Sequence, residues 1–256
     1  MTTSVEPTGR PIVVASLNIH GMKQDWRERA PLVLAELARL EPDVLLIQEA
    51  ARWAPQARWL AWRLSRMTLG RHYRAVSNRK RGWRGLIEGL ATITRLPIRD
   101  RAMLDLGGDG RIAQRLTLAT AGGGTFDVYN LHLANRDEDG PLRMAQVRRL
   151  AAWIEPRRGF PAIAGGDFNT PPGSEPLLAL PGGFRSAHLA AHGAEPPFTS
   201  PADSRPGEGR VIDFIFVGGG LPVVGCETAF GPVERDGRLV FPSDHLGLVC
   251  RVSPER

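Results

Sequence analysis

Three features of the sequence predict an α/β fold with mixed sheets and helices outside them. Apolar runs of strand length alternate with segments whose apolar residues recur at helical spacing. Strand-like runs also follow one another directly, which argues against a purely parallel, doubly wound sheet. No shift of composition divides the 256 residues, of which 42% are hydrophobic and 23% charged, enough for one extensive core.

The elements follow in order. "PIVVASLN" (11–18) reads as a buried strand. "WRERAPLVLAELARLE" (26–41) reads as a helix, with Asp25 at the N-cap. "PDVLLIQEA" (42–50) is a second buried strand, and "RWAPQARWLAWRLSRM" (52–67) a second helix. Trp59 and Trp62 stand three apart on it, a spacing that predicts core packing rather than nucleic-acid stacking. Strands are expected at 72–77, 89–98, 111–120 and 125–133. "GPLRMAQVRRLAAWIE" (140–155) is a helix with Pro141 in its first turn. Further strands are expected at 161–169, 211–219, 221–230 and 243–252. The Gly-, Pro- and Ala-rich segment 170–210 reads as long loops that shape specificity. We expect residues 1–10 to form a flexible tail and 11–254 a single domain.

The formal net charge is +6, and only Lys23 and Lys80 among the basic residues are lysines. Arginine suits a phosphate-rich partner, because guanidinium binds phosphate oxygens bidentately. GC-rich codon usage produces the same bias, so charge alone does not decide. Cys226 and Cys250 sit in apolar surroundings and read as buried thiols, not a disulfide framework or metal site. The polar N-terminus carries no apolar run, and no window approaches a membrane span. A cytoplasmic protein without stable membrane association is expected; its oligomeric state is not legible.

Polar residues recur where apolar strands end: Asn18, Glu49, His132, Asp167 with Asn169, Asp213, and Asp244 with His245. One such residue reads as a turn or cap. Repetition at five or more strand ends points to a shared site, because a buried carboxylate is costly unless paired or bound to metal. Carboxylates and an amide, without a thiolate cluster, suit a hard divalent cation such as Mg²⁺. Two imidazoles add proton transfer or oxyanion stabilisation. The combination suits phosphoester hydrolysis. No HExxH, P-loop, GxSxG or CxxC motif competes with that reading.

The order of motifs resembles the endonuclease/exonuclease/phosphatase superfamily of metal-dependent phosphohydrolases. The resemblance rests on "SLNIHG" (16–21), "DVLLIQEA" (43–50), "EGLATITRLPI" (88–98), "YNLHLAN" (129–135), "GGDFNTPP" (165–172), "VIDFIFV" (211–217) and "SDHLGLVC" (243–250). It implies a four-layer sandwich, in which two mixed β-sheets pack face to face with helices on the outside and the site lies at one edge between the sheets. Glu49 then matches the principal metal-binding glutamate, and Asn18 the asparagine beside it. Asp244 matches a residue that approaches the metal in some members. Asp167 matches the aspartate that orients or deprotonates the attacking water, and Asn169 the amide on the scissile phosphate. His245 matches a histidine that contacts phosphate or transfers a proton, with Asp213 as its carboxylate partner. His132 matches a second, substrate-contacting histidine, and Glu88 the acid that orients it. The implied cofactor is Mg²⁺, with Mn²⁺ as a substitute. Asp167 and Asn169, two apart on an extended segment, are expected to share a face, with Phe168 turned into the core.

Several details separate branches of the superfamily. AP endonucleases usually carry tyrosine where this chain has His132, and an aromatic residue before the aspartate that Asp213 matches. Leucine stands in the inositol phosphatases where Phe168 stands here. "RHYRAVSNRKRGWRG" (71–85) carries seven basic residues beside Tyr73 and Trp83 and reads either as a phosphate-backbone groove or as a solvated loop. His20 reads equally as pocket lining or loop, and His188 and His192 as surface. The expected reaction is water attack on a phosphoester, with DNA or RNA as favoured substrate. A small-molecule or lipid-headgroup phosphate ester is the alternative, and a catalytically inactive binding module a third reading.

Overall fold

A computed structural model describes residues 10–68, 70–200 and 209–253, without the side chains of Trp83, Arg84 and Asp137. Apart from Arg10, the expected N-terminal tail lies outside the described residues, as do 201–208 of the Gly- and Pro-rich segment.

The first half contains β1 (Ile12–Asn18), α1 (Trp26–Leu40), β2 (Val44–Ala51), α2 (Gln56–Met67), β3 (Arg74–Arg79) and β4 (Glu88–Thr94). The second begins with β5 (Ile98–Asp105), β6 (Ile112–Ala119), β7 (Thr125–His132), α3 (Gly140–Ile154) and β8 (Ala162–Asp167). It continues with α4 (Glu175–Leu178), β9 (Arg185–Ser186), α5 (Ala187–His192), β10 (Asp213–Gly218), β11 (Val223–Ala229), β12 (Val233–Arg235), β13 (Arg238–Val240) and β14 (Gly247–Val252).

Two six-stranded sheets form, in the orders β11-β14-β1-β2-β4-β3 and β5-β6-β7-β8-β10-β9. Each has one parallel pair at its centre, β1 with β2 and β7 with β8, and antiparallel neighbours on either side. Parallel strands need a crossover, and α1 and α3 supply the two. Alternation decides what each strand buries. Val14, Val44, Leu46, Val128, Ile163, Ile215 and Cys250 fill the layer between the sheets. Ala15, Leu45, Ile47 and Ile93 face α1 and α2, while Tyr129, Leu131, Ala164 and Phe214 face α3. The sandwich is therefore four layers deep, as the resemblance implied.

Several elements depart from the sequence reading. The strand expected at 89–98 is two strands in different sheets, broken at "RLP" (95–97), where Pro97 lacks a ladder donor. β5 escapes a hydrophobicity reading because it is an edge strand with mostly exposed residues. The β12–β13 hairpin was also not foreseen. The 170–210 segment is not all loop: α4, β9 and α5 lie in it. Ser186 caps α5 by accepting from the Leu189 N–H, and Gly193 closes it in the left-handed region. Asp25 stands at the α1 N-cap, but its side chain makes no capping hydrogen bond. Trp59 and Trp62 are not core residues, for α2 buries Ala57, Leu60, Ala61 and Leu64 and leaves Trp62 53% exposed. Trp59 packs edge-on against Trp26. Cys226 and Cys250 are buried free thiols on paired strands. His192 is exposed and His188 half-buried.

Candidate active site

The layer between the sheets is apolar along most of its length and polar at one end. The same alternation that points Val14 inward also points Ser16 and Asn18 inward on β1. On β7 it points Asn130 and His132 inward, on β8 Asp167, and on β10 Asp213. The polar end is cross-braced. Gln48 Nε2 donates to Asn130 Oδ1 (2.8 Å), and Thr92 Oγ1 to Gln114 Oε1 (2.5 Å). Gln114 Nε2 in turn donates to Asn78 Oδ1 (2.5 Å). These buried amides tie the sheets together beneath the site and were not singled out in the sequence.

Asp167 and Asp213 are direct cross-strand partners on β8 and β10. Asn18 Nδ2 donates to Asp167 Oδ2 at 3.0 Å. His132 Nε2 lies 3.4 Å and His245 Nε2 4.0 Å from the same oxygen. His245 Nδ1 lies 2.8 Å from Asp213 Oδ2, as the expected pair requires. Thr199 braces that pair, its Oγ1 accepting from the Ile212 and Asp213 N–H groups and its carbonyl from Leu246 N–H. Phe168 is fully buried on the helix side, as expected. Asn169 shares the Asp167 face for a different reason than extended alternation. The strand ends at Asp167, and Asn169 has a left-handed φ of 48°. Its N–H donates to Asp167 Oδ1 (2.9 Å) and its Nδ2 to the Leu133 carbonyl (3.2 Å).

A second group lines the same end. Glu49 also has a left-handed φ, 54°, at a β-bulge where the β2–β4 register shifts. Burial opposes its ionisation, but Lys23, 3.3 Å away, and Lys80 outweigh burial and hold its carboxyl below the ordinary value. Asp244 pairs with His20 Nδ1 at 2.7 Å, so His20 lines the site rather than a remote loop. That contact overcomes burial and lowers the Asp244 pKa. Glu88 lies at the site, but its carboxylate is bonded by Lys80 Nζ. His132 Nδ1 has no hydrogen-bond partner, so the expected Glu88–His132 bond is not formed. Lys80, drawn inward by Glu88, is buried instead of joining a basic strip.

Arg111 is buried as well and donates to Asn135 Oδ1 at 3.0 Å. Burial, Arg111 and Lys80 push His132 well below its usual pKa, so its imidazole is neutral. Arg29 organises the loops. Its guanidinium donates to the carbonyls of Ile19, Gly21, Lys23, Gln24 and Pro242. Sequence reasoning missed Lys23, Lys80, Arg29, Arg111 and Thr199. One signal pointed to the first two: the chain's only lysines both serve the site.

Burial and then Asp213 raise Asp167 from 3.8 to about 7. Burial disfavours the His245 cation, but Asp213, Asp167 and Asp244 override it and raise that pKa from 6.5 to about 10. Both groups bind their protons more tightly when folded, so both make stability fall as pH rises. Asp167 acts between 3.8 and about 7. The stability His245 contributes is present below 6.5 and lost as pH passes about 10. In metal-free buffer, the denaturation midpoint should decline between pH 7 and 10, and His245→Gln should flatten that decline. Parallel wild-type and variant profiles would exclude this role for His245.

The donors fit a divalent cation. Among the described residues Asp167, Asp213 and His245 bring ligand-type atoms within 4.8 Å of one another, whereas Glu49 and Asp244 join no such group. Two facing buried carboxylates that raise a pKa create negative potential that a cation relieves. The donors are carboxylate, amide and imidazole, with no thiolate. Asn18, Glu49 and Asp244 lie at the same end of the layer.

A model of the Endonuclease/Exonuclease/phosphatase family matches residues 15–245, and the chain belongs to that family. Its members are metal-dependent phosphoester hydrolases. The chain is similar to the human Nocturnin catalytic domain solved with bound sulfate, at 24% identity and TM-score 0.79 over 95% of this chain and 93% of that one. It is similar to truncated TDP2 of Caenorhabditis elegans, at 21% identity and TM-score 0.77, over 97% and 100%. A family protein from Leptotrichia buccalis aligns at 18% identity and TM-score 0.75, over 94% and 99%. At these identities the likeness is one of fold. No curated protein matches it in sequence. No helix among the described residues is long and apolar enough to cross a membrane.

Proposed function

We propose that residues 11–254 form one catalytic domain that hydrolyses phosphodiester bonds of nucleic acid by water attack on phosphorus. The observation that carries this is the convergence of Asp167, Asp213, His245, His132 and Asn18 at the polar end of the intersheet layer. In this reading Asn18, Glu49 and Asp244 would hold Mg²⁺ or Mn²⁺ beside the Asp167–Asp213–His245 cluster, whose own groups carry the proton transfers rather than ligate the cation. The cation, when bound, neutralises the phosphate and stabilises the leaving oxygen. Asp167 takes up a proton from the attacking water, a task its raised pKa suits near neutral pH. His245, kept protonated by Asp213, donates to a phosphate oxygen or the leaving group. Neutral His132 and the Asn169 amide position the phosphate. A chain with cytoplasmic residence fits this reading.

A second reading, a small or lipid-headgroup phosphate ester, draws on a pocket of about 200 Å³ beside Lys23 and Glu88. Met22, Trp53 and Ile87 give it an apolar wall suited to a compact ester. Purified protein should be incubated with Mg²⁺ or Mn²⁺ against plasmid DNA, single-stranded RNA and a panel of small phosphate esters. Cleavage of nucleic acid that EDTA abolishes and added metal restores is expected. Turnover of small esters alone would favour the second reading, and inertness toward every substrate an inactive binding module.

A further inference from the structure

A cleft of about 480 Å³ opens on the outer face of the first sheet, between α2 and β3. Arg58, Trp62, Arg66, His72 and Tyr73 line it. Neither α2 nor β3 contains a carboxylate. Among the described residues, Arg58, Arg63 and Arg66 make no ion pair. The Arg66 and Arg63 guanidinium groups lie 5.4 and 5.9 Å from the Trp62 ring centroid. Folding does not require this composition, because α2 is anchored by Ala57, Leu60 and Leu64 on its other face.

The cleft points toward the active site at both walls. On β3, alternation places Ser77 and exposed Arg79 on the same face as Ala75, which lines the cleft. The next residue is Lys80, bonded to Glu88. At the start of α2, Gln56 donates to the Gly21 carbonyl and accepts from Ala51 N–H, beside the site loops. From Gln56 to Arg66 the helix runs about 15 Å.

We propose that the α2–β3 cleft is an exosite for single-stranded nucleic acid, engaging the chain away from the scissile bond; this rests on the nuclease reading above. Unpaired cations supply phosphate contacts, and Trp62 supplies a stacking platform for an unpaired base. A concave cleft receives a chain; a lipid surface is flat and would meet only its rims.

The test is fluorescence anisotropy with end-labelled single-stranded DNA and RNA of 3, 6 and 12 nucleotides. It uses the full chain carrying Asp167→Asn with Mg²⁺, across a salt series. The 12-mer should bind about tenfold more tightly than the 3-mer. Adding Arg58→Gln with Arg66→Gln should erase that length preference and reduce the salt slope by roughly 1 to 1.5. Trp62→Ala should weaken 12-mer binding at unchanged salt slope. Circular dichroism confirms that each variant is folded. A length preference that survives the arginine substitutions would overturn the exosite while leaving the nuclease reading intact. Absence of binding to every oligonucleotide would overturn both, and arginine-dependent capture of phosphatidylserine vesicles would assign the cleft to a membrane instead.

Discussion

Asp167→Asn is expected to lower metal-activated phosphoester hydrolysis by on the order of 10²–10⁴, the range for loss of a positioned general base. The substitution keeps the side-chain volume and removes the charge. Asp167 accepts from two donors, Asn18 Nδ2 and Asn169 N–H, one on each oxygen. Asparagine has a single acceptor, so one donor is left facing an amide nitrogen. Against that local loss stands a larger relief. The native carboxylate is buried and faces Asp213, which is why its pKa is raised to about 7. The variant should therefore retain a denaturation midpoint at or above wild type while its turnover collapses. Such opposition is expected where a charge serves catalysis at the expense of stability. Rates with Mg²⁺ and thermal denaturation should be recorded on the same preparation. Near wild-type turnover would remove Asp167 from the reaction, and a joint loss of turnover and fold would make it structural.

Much of this site was legible because the chain uses strand alternation to aim side chains. Asn18, His132 and Asp167 stand at the last inward position of their strands and Asp213 at the first, while the far ends of those strands bury Val14, Val128, Ile163 and Val217, so the sequence exposes both the strand and its polar end. Asp213 with His245 was legible as a pair through the family resemblance, and the 2.8 Å contact agrees with it. Backbone irregularity was not legible. Glu49 is swung by a bulge and Asn169 by a left-handed turn; asparagine tolerates that region more readily than most residues, but glutamate gives no sign of it. Long cationic side chains were also misread. Lys80 lies in a basic run that looks solvated, yet one lysine turns inward when a half-buried carboxylate, Glu88, is within reach. Trp62 failed in the opposite sense: spacing of three marks one helix face but does not say which face is buried. Small residues settled that, since Ala57 and Ala61 let α2 approach the sheet.

Gly166→Ala is expected to prevent folding, or to cost more than about 4 kcal/mol, which is exceptional for one methyl group. Gly166 has a φ of 149°, where side-chain-bearing residues rarely go. A Cβ there would stand 2.0 Å from the Leu131 carbonyl oxygen and 2.9 Å from its carbon. Leu131 is its partner across the parallel β7–β8 pair at the centre of the second sheet, so neither strand can retreat. Gly165→Ala is the control. Its Cβ would meet Leu46 Cδ1 at 2.8 Å, the end of a side chain that can rotate, and the cost should be about 1–3 kcal/mol. Soluble yield and urea denaturation should separate the two, with Gly165→Ala folded and weakened and Gly166→Ala unfolded. A Gly166→Ala protein as stable as wild type would mean that β7 and β8 do not approach as described. The consequence reaches the chemistry, because the next pair in that ladder is His132 with Asp167. The glycine that lets the strands close brings His132 Nε2 to 3.4 Å from Asp167 Oδ2. "GGDFN" is thus one device: a backbone contact only glycine permits, the carboxylate it delivers, a buried aromatic that anchors the strand end, and an amide turned back onto the carboxylate.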